Sequence, residues 1–400
     1  RRAITVNGTA SNPIVIRAAD GETPVLTRPP DTMDTQNNIE IAGSSYLVIR
    51  GLVFRGGNTG VRFIGGHHIT LEDSEIAYTG NNAIAMNSGN SDAFVIRRNH
   101  IHHTGLSTSG TTEGEGLYVG CNYASCRATS TVIENNYIHH LRGTSDGGND
   151  GIEVKPGSWG NIIRDNVIHD TNIGKQFPCI FVYGGGAGVN TVEGNVMWRC
   201  GEGIQVVSDA IVRNNIIMNS GITGITSSPH VQISQMRNVS ILNNTIVGHP
   251  ECLYLRWSNA SNMVLANNAI YCGSATALNA SGLAGASITV RANLVDGGLS
   301  GASIDGLRFL TGGSAGGAFR DVAGLDLWPL PTSPLIGGGD PAYTPELDFN
   351  TSARIGIYDV GAYETEGLAT NPGWPIGPGF KETVLRDTVA PTPPTNVRVQ

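Results

Sequence analysis

Residues 149–170 read NDGIEVKPGSWGNIIRDNVIHD. Ile152 and Val154 alternate with Glu153 and Lys155, the period of two that a half-buried strand requires. A Pro-Gly turn follows, and then a second alternating run centred on Asn166. That second run recurs along the chain as IRRNHI at Asn99, IENNYI at Asn136, VEGNVM at Asn195, VRNNII at Asn215, LNNTIV at Asn244, ANNAIY at Asn268 and RANLV at Asn293. Earlier copies, around Gly51 (IRGLVF) and Ser74 (LEDSEI), lack the asparagine. Successive steps run from 20 to 37 residues. The strand of Ile152 recurs too, in Gly116-Leu-Tyr-Val-Gly, Cys179-Ile-Phe-Val-Tyr, Gly203-Ile-Gln-Val-Val and Cys252-Leu-Tyr-Leu-Arg.

Parallel strands need a crossover, and here it contains a second short strand instead of a helix. Such coils stack in one dimension. The expected fold is all-β: a single-stranded right-handed parallel β-helix of about ten or more coils, with an irregular C-terminal cap. Each asparagine would stack on its counterparts, its amide satisfying backbone groups of the bend. Leu117, Val119, Ile152, Val154, Ile180 and Val182 then point inward. One outward column is Tyr118, Glu153, Phe181, Gln205, Thr226 and Tyr254, and the next includes Lys155, Tyr183 and Arg256. Neighbours in a column sit about 4.8 Å apart.

Composition agrees. Glycine is abundant (54 residues) and charged residues are scarce at 14%, which suits short strands and tight turns. No apolar run reaches about 18 residues, so no membrane span is expected. A net charge of −8 argues against nucleic acid as a partner. The six cysteines show no zinc-ligand spacing. Cys121 and Cys126 could close a small loop, and Cys179–Cys200 and Cys252–Cys272 each span about one repeat, so disulfides in an exported protein are expected. The chain begins at Arg1, which suggests a processed or trimmed N-terminus. Residues 1–365 are read as one solenoid domain, with 306–365 capping its open end. Residues 366–400 are read as a Pro/Thr-rich linker leading to a fibronectin type III-like module.

One part of the outer face is chemically rich. Glu113, Glu115, Asp146, Asp150, Glu153, Lys155 and Tyr183 fall on adjacent rungs. Glu115 and Asp150 share a register, and two carboxylates so close repel unless a cation lies between them. A Ca²⁺ ion with oxygen ligands fits that gap, with Glu113, Glu115 and Asp150 as candidate ligands. Lys155 is a candidate general base, given a lowered pKa. Tyr118, Phe181, Tyr254 and Trp257 would line the same groove as a sugar platform, with Arg256 in a distal subsite. His102, His139 and His169 each follow a ladder asparagine by three residues and should stack, with Trp198 continuing the column. Such a stack is read as a repeat signature, not as a transition-metal site.

Glu153-Val-Lys155 followed by Asn161-Ile-Ile-Arg164-Asp-Asn166 resembles the pattern of polysaccharide lyase family 6, that of chondroitinase B and β-helix alginate lyases. The resemblance implies that Lys155 abstracts the C5 proton of a uronic acid. It also implies that Asp150, with Glu115 from the preceding coil, holds the Ca²⁺ that offsets the sugar carboxylate. Gly148 stands where a second acid is expected, and Tyr183-Gly184 where the family has Arg-His, so Tyr183 would replace the missing proton donor. These features predict a secreted, monomeric polysaccharide lyase acting on an acidic polysaccharide, with Lys155, Tyr183 and Glu153 at its centre. Two other readings remain open. One is a glycoside hydrolase, using two of Glu115, Asp150 and Glu153, or a uronate epimerase. The other is a non-catalytic glycan-binding solenoid.

Overall fold

The computed structural model describes residues 3–108, 113–143, 148–171 and 177–382. Nearly all its strands join one continuous parallel ladder. Each coil contributes three strands, one more than the sequence suggested. The asparagine-centred run is two strands meeting at a corner, as in Ile162–Arg164 and Val167–Thr171. The residue before each ladder asparagine adopts a left-handed conformation: Arg98, Asn135, Asp165, Gly194, Asn214, Asn243, Asn267 and Ala292. Six of these eight are Asn, Asp or Gly, the types that tolerate that region best. The sharp bend there splits the run.

The asparagine side chain then locks the corner. Asn195 Nδ2 donates to Asn215 Oδ1 (3.0 Å) and to the Ile163 carbonyl (2.9 Å). Its Oδ1 accepts from the backbone N–H and Nδ2 of Asn166, each at 3.0 Å. The same exchange runs unbroken from Asn99 through Asn136, Asn166, Asn195, Asn215, Asn244 and Asn268 to Asn293. A shorter ladder links Asn161 to Asn190 at another corner.

Stacking yields three sheets. The first holds Leu117–Val119, Ile152–Val154, Pro178–Val182, Glu202–Val206, Thr223–Ser227 and Glu251–Arg256. The second holds the strands before the asparagine corner, and the third those after it. Leu117, Val119, Ile152, Val154, Ile180 and Val182 are all fully buried inside, as expected. On the second sheet an outward column alternates in sign over seven rungs: Arg50, Glu72, Arg97, Glu134, Arg164, Glu193 and Arg213. Ion pairs of 2.5–2.7 Å link Glu72 to Arg50 and Arg97, Glu134 to Arg164, and Glu193 to Arg213. The expected disulfides form: Cys121–Cys126, Cys179–Cys200 and Cys252–Cys272.

The C-terminal segment is irregular and packs largely against the side of the solenoid. After a last strand at Phe309–Thr311 and a short antiparallel pair, Phe319–Asp321 with Asp326–Pro329, it runs back along the outside of the third sheet. The reason lies in that sheet's outward residues. Val167, Val196, Ile216, Ala269 and Leu294 are apolar and need cover, which Phe319, Trp328, Leu335, Phe349, Tyr363 and Phe380 supply. Arg354 anchors the segment through Glu364, Asn214 and the carbonyls of Gly361 and Ala362. Residues 366–382, read from sequence as linker, still belong to this packing. Phe380 is buried and Lys381 pairs with Asp165 at 2.6 Å. The remainder of the expected linker, 383–400, lies outside the described residues.

Two stability outcomes follow from this architecture. Asn195→Ala leaves several buried groups unpaired and should lower stability by about 3 kcal/mol, read as a lower denaturant midpoint; an unchanged midpoint would refute the locking role. His249 is buried, its Nδ1 accepting from the Ser220 N–H (3.0 Å) and its Nε2 donating to the Ile217 carbonyl (3.1 Å). Burial depresses its pKa to about 4. An unfolded histidine titrates near 6.5, so the neutral ring's contribution is complete above that pH and is lost as pH falls through about 4. The loss is roughly 3 kcal/mol. In His249→Gln, the stability difference between pH 7 and pH 4 should shrink by that order.

Candidate active site

In the first sheet, Leu117, Ile152 and Ile180 lie in register, as do Tyr118, Glu153 and Phe181. Because the former point inward, the latter point out. Lys155 and Tyr183, two residues after Glu153 and Phe181, share that outer face, whereas Glu115 and Asp150 precede the strands that begin at Leu117 and Ile152, where strand alternation does not set their direction.

The groups converge. Lys155 Nζ lies 2.5 Å from Glu153 Oε1 and 4.4 Å from the centre of the Tyr118 ring. The Tyr183 hydroxyl donates to the same Glu153 oxygen at 3.1 Å. Oxygens of Glu115, Asp150 and Glu153 lie within 4.8 Å of one another, all three side chains buried. Asn82, with its amide nitrogen turned toward them, donates to Glu115 Oε2 at 2.5 Å and to the Glu113 carbonyl at 3.3 Å. Gly148 makes room for this arrangement. A Cβ there would collide with Glu115 Oε1, so the Glu115 carboxylate fills the space where an acid at 148 was expected.

Burial and mutual repulsion push Glu115 and Asp150 well above the ordinary carboxylate range, and burial raises Glu153 as well. Asp150 Oδ1, Glu153 Oε2 and both amide atoms of Asn149 are buried with no hydrogen-bond partner among the described residues. Orphaned oxygens among crowded carboxylates form a donor set that fits a hard divalent cation such as Ca²⁺. Burial works to strip Lys155 of its proton, but Glu153 and Tyr118 outweigh it, and its pKa lies above the ordinary value. The resting lysine is therefore an ammonium, contrary to the lowered pKa expected of a base. Burial first, then Glu153, holds Tyr183 as the protonated phenol.

Other expected residues fall differently. Glu113 is exposed and outside the carboxylate cluster, whose third member is Glu153. Asp146 lies outside the described residues. Trp257 is only 1% exposed; past the end of the strand Glu251–Arg256 the chain turns inward, and its indole donates to Ser227 Oγ at 3.0 Å. It is a core residue, not part of a groove. Tyr254 and Arg256 do remain on the outer face, the guanidinium 3.8 Å from the Tyr254 ring centre and bonded to Asn279. They sit three rungs beyond Phe181.

Phe181 and Tyr183 do not form an open platform. Their rings stack at 3.9 Å, and His230 covers both edge-on, at 5.8 and 4.8 Å. His230 belongs to the loop 228–236, which departs from the first sheet and crosses back toward the Cys121–Cys126 loop. There the Gln232 side chain accepts from the Tyr123 N–H (2.7 Å) and donates to Asn122 Oδ1 (3.2 Å). His230 Nδ1 accepts the Gln232 N–H at 3.2 Å, which leaves the neutral ring's proton on Nε2. Strand register could not have placed this histidine, because the loop obeys none. Glu202, two rungs beyond Asp150, is a further buried acid; burial lifts it to about 7 against the pull of Thr226 and Thr223. Its register with Glu115 and Asp150 was visible in the sequence.

Residues 113–270 match the family model described as right handed beta helix region. The chain is a right-handed parallel β-helix. Solved structures similar to this β-helix include the PL6 family alginate lyase AlyGC, with 16% identity and a TM-score of 0.54, covering 94% of this chain and 55% of that one. Pectate lyase Pel9A has 12% identity and a TM-score of 0.53, covering 91% and 83%. The alginate lyase from Paenibacillus sp. str. FPU-7 has 22% identity and a TM-score of 0.50, covering 65% and 84%. At such identities the likeness establishes the fold. No curated protein sequence matches the chain.

The tether of the 228–236 loop can be tested directly. Gln232→Ala removes both side-chain contacts and should speed hydrogen exchange of the loop amides about tenfold, while strand amides stay protected. Unchanged loop exchange would show that Gln232 does not hold it.

Proposed function

We propose that the protein is a secreted polysaccharide lyase that cleaves a uronic-acid-containing polysaccharide by β-elimination. The observation that carries this reading is the shared oxygen Glu153 Oε1, which binds the Lys155 ammonium and the Tyr183 hydroxyl beside a cluster of three carboxylates. Elimination from a uronate needs a base at C5, a donor for the departing O4 oxygen, and relief of the substrate carboxylate's charge. The buried pair and its neighbours supply all three.

Lys155 first passes its proton to Glu153, whose own pKa burial has raised. The free amine then takes the C5 proton. As the C4–O bond breaks, Tyr183 protonates the leaving oxygen and recovers its proton through Glu153. One carboxylate thus resets both partners. Glu115, Asp150 and Glu153 Oε2 are the groups to hold Ca²⁺, which when bound offsets the uronate charge and acidifies the C5 proton. The three disulfides suit an oxidising compartment. Arg256 and Tyr254 are placed to meet a more distant sugar unit of the polymer. The similar alginate and pectate lyases act on uronic-acid polymers, which supports the substrate class. Glu202, titrating at about 7, favours one alternative, a glycoside hydrolase with that residue as general acid.

Ultraviolet absorbance of unsaturated product, followed over alginate, pectate, dermatan, hyaluronan and glucuronan, decides between these readings. A rise that EDTA abolishes and Ca²⁺ restores is expected. Lys155→Ala and Tyr183→Phe, checked for native circular dichroism, should each reduce it at least about 100-fold. A rise that survives Lys155→Ala removes that residue as the base. Reducing ends without absorbance would point to hydrolysis, and neither signal to a glycan-binding solenoid.

A further inference from the structure

The third sheet carries a second concentration of ligand atoms, on a different face from the carboxylates. His100 and His102 flank the buried Ile101, so both project outward, their rings 4.3 Å apart. Glu75 stands beside His100 on the preceding coil, and His139 beside His102 on the following one. Glu75, His100 and His102 each offer a ligand atom within 4.8 Å of the others, and Glu75 Oε1 is 3.7 Å from His102 Nε2. His139 Nε2 closes to 2.7 Å from His100 Nε2. The other nitrogens of two of these rings are already engaged: His102 Nδ1 meets His103 Nδ1 at 2.7 Å, and His139 Nδ1 meets His140 Nδ1 at 2.6 Å.

One nitrogen of each of these two rings is thus held by a neighbour, as in the outer-partner pattern that orients metal-binding imidazoles, and the Nε2 atoms of His100 and His139, which meet each other here, would exchange that contact for the metal. We infer that Glu75, His100 and His102, joined by His139, form a binding site for a divalent transition-metal ion of the zinc type. Three imidazoles and one carboxylate suit Zn²⁺, Co²⁺ or Ni²⁺ and are too nitrogen-rich for Ca²⁺ or Mg²⁺. The competing contact is Arg55, which donates to Glu75 Oε1 at 3.0 Å from a half-exposed position.

The stacked column His102, His139, His169 and Trp198 forms as expected, with near-parallel rings 4.3–5.2 Å apart. Parallel rings do not aim at a common point. His100, which the asparagine period did not single out, turns across the stack and makes a chelate possible. The ion would tie together the coils of Glu75, His100 and His139. The C-terminal segment's packing reaches Val167 and touches Tyr137 on the coil of His139.

The test is calorimetric titration of Zn²⁺ alone into tag-free protein previously stripped with EDTA, repeated with Co²⁺ to read its visible ligand-field bands. One equivalent should bind, with a Kd below about 10 µM. His100→Ala and Glu75→Gln should weaken binding at least about tenfold, and His103→Ala about tenfold through its neighbour. Glu115→Gln and Asp150→Asn should leave it unchanged, as should excess Ca²⁺. Glu75→Gln keeps the proposal testable if the histidine variant fails to fold. Absence of stoichiometric binding would overturn the site. So would binding that survives both variants, or that disappears instead with the exposed pair His67 and His68.

Discussion

From Asn99 to Asn293, each corner between the second and third sheets turns on an asparagine whose amide is engaged by the neighbouring coils. Its geometry permits only one vertical step and one phase between coils. If the phase slipped by one residue, Ile152 and Val154 would face water and Glu153 the core. The ladder therefore does more than satisfy polar groups at a bend. It keeps Tyr118, Glu153 and Phe181 in one column over three coils, and with them the flanking acids and the lysine.

A solenoid in fixed register must also place charges above one another, and this chain does so in two opposite ways. On the second sheet the signs alternate strictly from Arg50 to Arg213, so each charge between those two ends meets its opposite on both sides, and the paired arginines are 34–42% exposed to solvent. On the first sheet Glu115, Asp150 and Glu153 crowd together, buried, with one lysine to balance them. Alternation was available to the fold and is used elsewhere. Burying three like charges works against stability, and such departures from an otherwise consistent pattern concentrate at functional sites. The contrast between these columns makes a purely structural role for the acids hard to sustain.

Much of this was legible in residue order. Alternation around Ile152 and Ile180 gave the inner face, the asparagine period gave the coil, and cysteines one coil apart gave the disulfides. Periodic reasoning fails where the chain leaves the period. Trp257 lies one residue past its strand and swings into the core. The left-handed residue before each asparagine divides what reads as one strand. The C-terminal segment has no repeat of its own, yet its position was encoded in the outward column Val167, Val196 and Ile216, whose apolar character demands a cover. Lys155 was read as outward, and it is, but the rings and the carboxylate around it bury it to 5% exposure.

That burial bears on how a polymer could reach the lysine. The strands beneath Lys155 and Tyr183 cannot part, since each is hydrogen-bonded to a coil on either side and locked at its asparagine corner. The loop 228–236 is different. It joins Thr223–Ser227 to Arg237–Leu242, meets a neighbouring coil at its far end where the Met236 carbonyl accepts from the Ser261 N–H (3.2 Å), and is brought across the site by the contacts of Gln232 with Asn122 and Tyr123. Two such hydrogen bonds contribute about 1 kcal/mol each, far less than breaking a rung. Opening therefore falls to this loop. In the lyase reading, lifting the loop would take His230 off the edges of Phe181 and Tyr183 and turn the stacked pair into the aromatic surface that the sequence suggested. In that reading the groove belongs to the open loop, and the stacking of the two rings holds its floor in shape while the loop is closed.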